Sequence, residues 1–446
     1  MLYAGLDIGT THCKMLLCDS DGALLWEQRL KIHTHHPKPG WQEQDPREIW
    51  LQVQTLLQSL SRLVNGRNEA CRITISTAMH AIFPVDQQWQ PMYPMMIWAD
   101  LRSQPQVEKL KETSSVIQLY NITGTPLHPM SPLCKIIWYR DNYPDQFDKV
   151  FKWVSAKDWI WWQITGMAEA DHSVASASGL MDIRERHWSA EALGLAGIRL
   201  DQLPDPVSVY RSIQPERIAP GCGDWLHLPE WRIGGSDGFL ATVGSGAVKP
   251  GDLALTIGTS GAVRVLVNHP VELHHYSLFQ YAADEGRWLL GGAVNNGGNL
   301  LAWFSDVFLQ GTQTPEATMR YWLDRAANVP PGSEGLCCLP WVYGERAPVW
   351  DAGATASFSG IRAIHGKEHF LRAVLEGSVE NLARIVQALE ERQIPIERIY
   401  ASGGFLASQL WVSIVEARLG RKMIIAGDGD ASARGAVELG RLTIND

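Results

Sequence analysis

Two carboxylates in this chain stand where small residues would let a ligand come close. Asp237 follows the turn Gly234-Gly235-Ser236 and precedes the small-residue stretch 238–246, so backbone on both sides can approach a bound molecule. A lone acid in such a place can take a proton from a hydroxyl. Asp7 ends an apolar run just ahead of Gly9, Thr10 and Thr11, whose N–H groups and hydroxyls can hold phosphate oxygens, with Lys14 as a nearby cation. Acid and phosphate repel one another, so this pairing makes sense only with a divalent metal between them.

The turn after Asp7 has a twin. Residues 4–16 read AGLDIGTTHCKML and residues 253–265 read LALTIGTSGAVRV. Without gaps, Ile8, Gly9 and Thr10 fall on Ile257, Gly258 and Thr259, and Asp7 falls on Thr256. Each copy reads as strand, glycine turn, strand. The repeat predicts two similar domains whose hairpins face a shared cleft. The Gly- and Pro-rich run 244–252 marks the boundary between domains 1–243 and 244–446.

Further small-residue signals flank these hairpins. Gly297-Gly298 separates a strand at 288–292 from an apolar helix at 300–308 with Asn299 as its expected N-cap, and Gly403-Gly404 lies between a strand at 398–402 and a helix at 408–419. Such helix entries favour anions or let the flat face of a nucleotide come near. In the first half, Met79 and His80 follow a strand at 72–76, and Trp98, Asp100 and Arg102 follow one at 95–98. That cluster suits vicinal hydroxyls or an acid group, with an internal Asp100–Arg102 pair as the competing reading. His33, His35 and His36 have no partner at ligand spacing and read as a solvated loop. Asp428, Asp430 and Ser432 resemble the opening of a calcium loop, but Leu439 stands where its closing Glu would be.

The elements that must position these groups follow from periodicity. A three-stranded meander is predicted over 3–8, 13–19 and 23–30, then a helix from Pro46 to Asn65 whose apolar positions recur with a 3.6 period. Helices at 130–138, 158–166, 369–391 and 431–442 and strands at 253–257, 262–267 and 422–426 complete an α/β pattern.

Composition narrows the chemistry. The chain has 446 residues, 45% of them hydrophobic and 20% charged, enough for a sizeable core. A net charge of −9 disfavours a nucleic-acid partner. No stretch approaches the ~18 uninterrupted apolar residues of a membrane span, and Asp7 interrupts the N-terminus too early for a secretory signal, so a cytoplasmic location is expected. Seven cysteines without a CxxC pair read as reduced, buried thiols. There is no GxxxxGK[ST] loop, and no GxGxxG follows a strand. Two phosphate-holding turns, a diglycine helix entry, a hydroxyl-reading cluster and one hinge carboxylate together describe phosphoryl transfer to an alcohol in a cleft.

LDIGTT, MSPLCKIIW, GGSDG, LTIGTSG, GGAVNNGG and ASGGFLASQLW resemble, nearly end to end, the FGGY carbohydrate kinases of the actin, hexokinase and heat-shock ATPase superfamily. Within that family, MHAIFPVD, WADLRS and TGTPLHPMSPLCKIIW look most like gluconokinases. The resemblance implies a two-domain actin/hexokinase-like (ribonuclease H-like) fold with its site in the interdomain cleft, ATP and Mg²⁺ as cofactors, and a small sugar or sugar acid as substrate. It is compatible with a homodimer. It implies that Asp7 positions Mg²⁺ through water, that Gly9, Thr10 and Thr11 meet the transferred phosphate, and that Gly258 and Thr259 hold the nucleotide phosphates. Gly297, Gly298, Gly403 and Gly404 would line the adenosine pocket, and Met79, His80, Trp98, Asp100 and Arg102 would face the sugar. Asp237 would be the base, accepting the proton of the 6-hydroxyl of gluconate, whose carboxylate Arg102 or Lys135 is expected to meet. Tyr139 and Ser408 depart from residues usual in the family. Xylulose or glycerol as substrate, and a non-catalytic actin-like nucleotide-binding protein, are the alternatives.

Overall fold

The computed structural model describes residues 1–65, 69–113, 116–213, 230–273, 277–309, 315–426 and 430–442. Two six-stranded mixed sheets organise the chain. In the first, Leu2–Ile8, His12–Cys18 and Leu24–Lys31 form the expected antiparallel meander. Cys71–Thr77 joins Leu2–Ile8 in parallel and Glu230–Ser236 extends the sheet, with Ser212–Ile213 at its edge. In the second, Asp252–Ile257, Gly261–Val267 and Trp288–Val294 form the meander, followed in parallel by Arg398–Ser402 and Met423–Ile425, with Phe279–Ala282 at the edge. The two sheets thus share one connectivity, three antiparallel strands and then two parallel ones, as the internal repeat predicts.

Asp7 pairs with Ser76 across the first sheet and Thr256 pairs with Ser402 across the second, so the matched residues occupy one structural position. The returning strands differ by one residue. Lys14 faces Asp7, whereas Ala262, which aligns with Cys13, faces Thr256. The first turn is therefore one residue longer than the second, a difference that an ungapped alignment conceals.

Each lobe has its own apolar centre. Helix Pro46–Asn65 begins at the proline, whose missing N–H is no loss in a first turn, and buries Ile49, Val53, Leu56, Leu57 and Leu60 against the first sheet. Helix Lys367–Glu390 does the same for the second sheet through Leu371, Val374, Leu375, Leu382, Ile385 and Val386. Helix Ala156–Thr165 is capped by Ser155, which accepts from Asp158 N, and ends at Gly166 in a left-handed conformation. One helix start differs from expectation. Asn299 is the first residue of its helix and Gly298 its N-cap, while the Asn299 side chain turns back to accept the Gly297 N–H at 2.9 Å.

The last helix, Ala431–Arg441, belongs to the second half of the chain. It packs on the first sheet and on the hinge helix Asp237–Gly244. Close approach is possible because glycine lines both contacts. A Cβ on Gly5 would fall 2.2 Å from Ala433 O, one on Gly244 1.9 Å from Ala431 O, and one on Gly435 1.8 Å from Leu240 O. Arginines of the first sheet then satisfy the helix's terminal carbonyls: Arg72 Nη1 donates to Gly440 O at 2.5 Å and Arg232 Nη1 to Leu439 O at 2.6 Å. Of the described cysteines, Cys337 is exposed and the others are buried, and all are free thiols. No described helix is long and apolar enough to cross a membrane.

Gly435→Ala should therefore destabilise the protein although alanine is the better helix former by about 1 kcal/mol. A methyl group so close to a backbone carbonyl forces the two helices apart, at a net loss of about 1–3 kcal/mol. The expected result is a lower urea midpoint at unchanged slope. An unaltered midpoint would mean that the helices can separate freely.

Candidate active site

A cavity of about 240 Å³ lies between the lobes. The first lobe contributes Thr10, Met79, His80, Trp98, Met130 and Asp237 to its wall. From the second come Thr256, Ser260, Arg264, Tyr281, Arg346 and Trp350 among others. The size suits one small polar ligand rather than a drug-sized one.

Asp237 is placed by the strand-to-helix turn after Ser236. Ser236 caps the helix through Phe239 N, and its own N–H donates to Ser173 Oγ at 3.1 Å. Beneath the turn, the buried Lys157 ammonium donates to Gly235 O at 2.6 Å and Ile75 O at 3.1 Å and pairs with Asp171 at 3.1 Å. The ends of two adjacent strands are so tied to one helix. Asp237 Oδ1 accepts the N–H of Gly238 at 2.7 Å. Burial pushes its carboxyl above the ordinary range, against the opposing pull of the Arg264 guanidinium.

His80 adopts φ 67° and its Nδ1 lies 2.8 Å from Ala177 O. A carbonyl can only accept, so Nδ1 carries the proton and Nε2 is left as an acceptor. Burial, with the Lys135 charge nearby, lowers its pKa to about 3, which keeps the ring neutral. Arg346 is held over the Trp98 ring at 4.5 Å, with Nε donating to Asn295 at 2.8 Å and Nη2 to Val294 O at 3.1 Å. Its neighbour Glu345 is wholly buried and accepts from Asn295 N, Arg346 N, Asn296 and Asn381. These two residues, without a role in the sequence, brace the Asn-Asn-Gly-Gly loop.

That loop brings the diglycine segments to the second hairpin. Gly298 N donates to Gly258 O at 2.6 Å and Asn299 N to Thr259 O at 3.1 Å. Gly403, at φ 106°, packs where a Cβ would lie 2.3 Å from Ile257 O. A Cβ on Gly404 would meet nothing within 4 Å, and one on Gly258 nothing nearer than 4.0 Å, so bare backbone is presented to open space there. Gly258, Thr259, Gly297, Gly298, Gly403 and Gly404 are thus gathered in one place. On the first hairpin, Ser76 Oγ donates to Asp7 at 2.7 Å, and burial raises the Asp7 pKa to about 6, with Asp430 and Asp237 adding to the rise. Lys14 forms an ion pair with Asp430 and does not line the cavity.

Asp100 and Arg102 are not in the cavity wall. Arg102 Nε and Nη2 donate to both oxygens of Asp100, at 2.8 and 2.7 Å, and Nη1 reaches Glu43 at 2.7 Å and Tyr93 at 3.0 Å. Its plane lies 3.9 Å from the Trp41 ring centre, and its side chain is fully enclosed. The competing reading, an internal pair, describes these two residues, and the expected sugar contact is corrected accordingly. Lys135 is likewise engaged: its ammonium donates to His80 O and Ile97 O at 2.7 Å each and points toward Met96 O. Neither expected cation is free to meet a ligand.

Residues 2–216 match the N-terminal domain of the FGGY family of carbohydrate kinases, and residues 253–443 match its C-terminal domain. The chain belongs to the FGGY family of carbohydrate kinases. It is 35% identical to a gluconokinase of Bacillus subtilis over 98% of its length and 86% of that relative. It is also 25% identical to a xylulose kinase of Staphylococcus xylosus over 92% of its length and 84% of that relative. The solved gluconate kinase of Lactobacillus acidophilus superposes with a TM-score of 0.92 at 30% identity, covering 99% of this chain and 88% of the other. The ligand-bound xylulose kinase of the same organism superposes with 0.92 at 31%, covering 99% and 89%. The two-lobed α/β architecture is the actin/hexokinase-like fold of this family, and the chain is an ATP-dependent carbohydrate phosphotransferase.

Arg264, Arg346, Tyr281 and Trp350 are cavity residues of this FGGY kinase that the sequence did not single out. Arg264 carried a usable signal, a charge inside the otherwise apolar strand AVRVLV. The others reach the cavity from positions with no local motif. Arg102→Leu should act on stability, since it leaves Asp100 and Glu43 buried without their cation, at about 3–5 kcal/mol. Thermal unfolding would show the loss, and whatever turnover survives should keep the wild-type order of substrates. A selective loss of acidic substrates would restore Arg102 to the site.

Proposed function

We propose that the chain transfers the γ-phosphoryl group of ATP to the 6-hydroxyl of D-gluconate, with Asp237 as general base. The observation that carries this reading is the position of Asp237, a carboxylate that lines the interlobe cavity together with His80 and Trp98 and with Thr256, Ser260 and Gly261 of the second hairpin. In this reading the substrate hydroxyl lies against Asp237, which accepts its proton as the oxygen attacks phosphorus in line and ADP departs. His80 Nε2 accepts a hydrogen bond from a second hydroxyl. Gly9, Thr10 and Thr11 meet the transferred group, Gly258 and Thr259 hold the nucleotide phosphates, and the diglycine segments receive the adenosine.

Asp7 fits a magnesium ion held largely by water and phosphate. It is one buried acid with acidic neighbours, and no cluster of three or more ligating side chains occurs among the described residues. When bound, the ion would offset charge on the phosphates. Gluconate is favoured over xylulose by the 35% identity to the Bacillus gluconokinase against 25–28% to several xylulose kinases. The equal superposition on a xylulose kinase keeps a ketose as the second reading.

ADP release measured against gluconate, xylulose and glycerol tests the substrate, and the highest kcat/KM should belong to gluconate. Preference for xylulose would install the second reading. Asp237→Asn should leave ATP binding intact and lower kcat by about 10²- to 10⁴-fold, so near-normal kcat would remove Asp237 as the base. The acid limb follows from the raised pKa: Asp237 works only when ionised, so turnover is full above that pKa and lost as pH falls through it. The limb should therefore lie above the ordinary carboxylate value of about 4, and a limb at or below it would contradict the buried state of the base.

A further inference from the structure

The cavity contains two guanidinium groups and one carboxylate among its described lining residues. Arg264 reaches it from the second hairpin, and its Nε is closed to solvent without a hydrogen-bond partner. No ion pair joins it to Asp237 within 4.0 Å, so its charge is felt by the base without being neutralised by it. Arg346 is fixed by Asn295, Val294 O and the Trp98 ring, and its Nη1 makes no hydrogen bond among the described residues. Each arginine raises the electrostatic cost of the other. Of the other titratable groups, His80 is neutral and Lys135 is capped by carbonyls, while the Glu345 carboxylate supports the Arg346 charge from outside the cavity wall, its oxygens held by Arg346 N and the asparagine loop. A neutral sugar would offer the Arg264 and Arg346 donors that make no hydrogen bond among the described residues only neutral acceptors, whereas a carboxylate would give them a charged one.

Resting on the kinase reading above, we infer that Arg264, together with Arg346, is the receptor for the carboxylate of an acidic substrate and sets the preference for sugar acids over neutral polyols. Guanidinium groups present paired N–H donors that match a carboxylate, and a bond to a charged acceptor is about twice as strong as a neutral one. The cation pair thus does what Arg102 and Lys135 were expected to do. Arg264 is the discriminating member, because Arg346 also stacks on Trp98 and holds the Val294 to Asn295 backbone.

The test is calorimetric binding, without nucleotide, of D-gluconate and of D-glucitol, the neutral alditol with the same carbon chain, to wild type, Arg264→Met and Arg264→Lys. Wild type should bind gluconate the more tightly. In Arg264→Met the ratio of the two affinities should fall by about 10- to 100-fold, and in Arg264→Lys it should fall less, because charge is kept while the fork is lost. Thermal midpoints establish that both variants are folded. An unchanged ratio, as expected if Arg264 serves only as counter-charge to Asp237, or equal binding of both ligands by wild type, would overturn the inference. Failure of the kinase reading is seen separately, as gluconate binding without gluconate-dependent ADP release.

Discussion

In the role proposed for it, Asp237 has to be kept away from water yet ionised, and these demands conflict. Burial of Asp237 raises its pKa, while the Arg264 and Arg346 guanidinium groups and the N–H groups of Gly238 and Met79 pull it down. Most of what surrounds the cavity manages this conflict. Asp237 comes from the first lobe and both cations from the second, so the electrostatic state of its carboxyl depends on how the lobes meet. A tilt of one lobe changes the Asp237 environment even when no covalent neighbour moves.

The scaffold under the site is correspondingly stiff. Lys157 ties Ile75 and Gly235 together from below, Ser173 holds Ser236, and the hinge helix that begins at Asp237 is packed through glycine against the last helix of the chain. That last helix also lies on the strand carrying Asp7, through Gly5. Asp7 and Asp237 are thus referenced to the same helix, although they are far apart in sequence. An enzyme whose rate depends on alignment within fractions of an ångström gains directly from this shared support.

Much of this arrangement was legible in the sequence because its signals are local. The repeated hairpin, the Ser131-Pro132 helix start, the Gly166 and Gly420 stops and the strand at 398–402 all follow from short-range backbone preferences. The gathering of Gly258, Gly297 and Gly403 was implied by the family resemblance of the segments that carry them, and their close backbone approach is one that a Cβ would block at Gly297 and Gly403. What the sequence hides is partner choice. Asp100 and Arg102 stand two residues apart in a polar run that suits either a ligand or each other, and only tertiary placement of Glu43, Tyr93 and Trp41 decides. The return of helix Ala431–Arg441 to the first lobe is hidden for the same reason, because its sequence reports an amphipathic helix and not the sheet that it will cover.

The internal repeat finally explains why one fold can hold both reactants. At the matched strand ends the first lobe has Asp7 beside Ser76, and the second has Thr256 beside Ser402, with the hydroxyls 3.0 Å apart. A carboxylate at that position creates a demand for a cation, whereas a hydroxyl pair does not and can lie beside phosphate without repulsion. In the proposed reading, one lobe thereby takes a metal-bridged phosphate and the other a phosphate held by backbone alone. The extra residue in the first turn adds to the difference, since it brings Lys14 opposite Asp7, where the second hairpin has an alanine. On one backbone template, the two matched turns thus differ by a side-chain exchange and a one-residue change in loop length, and the proposed division of the cleft rests on those two differences.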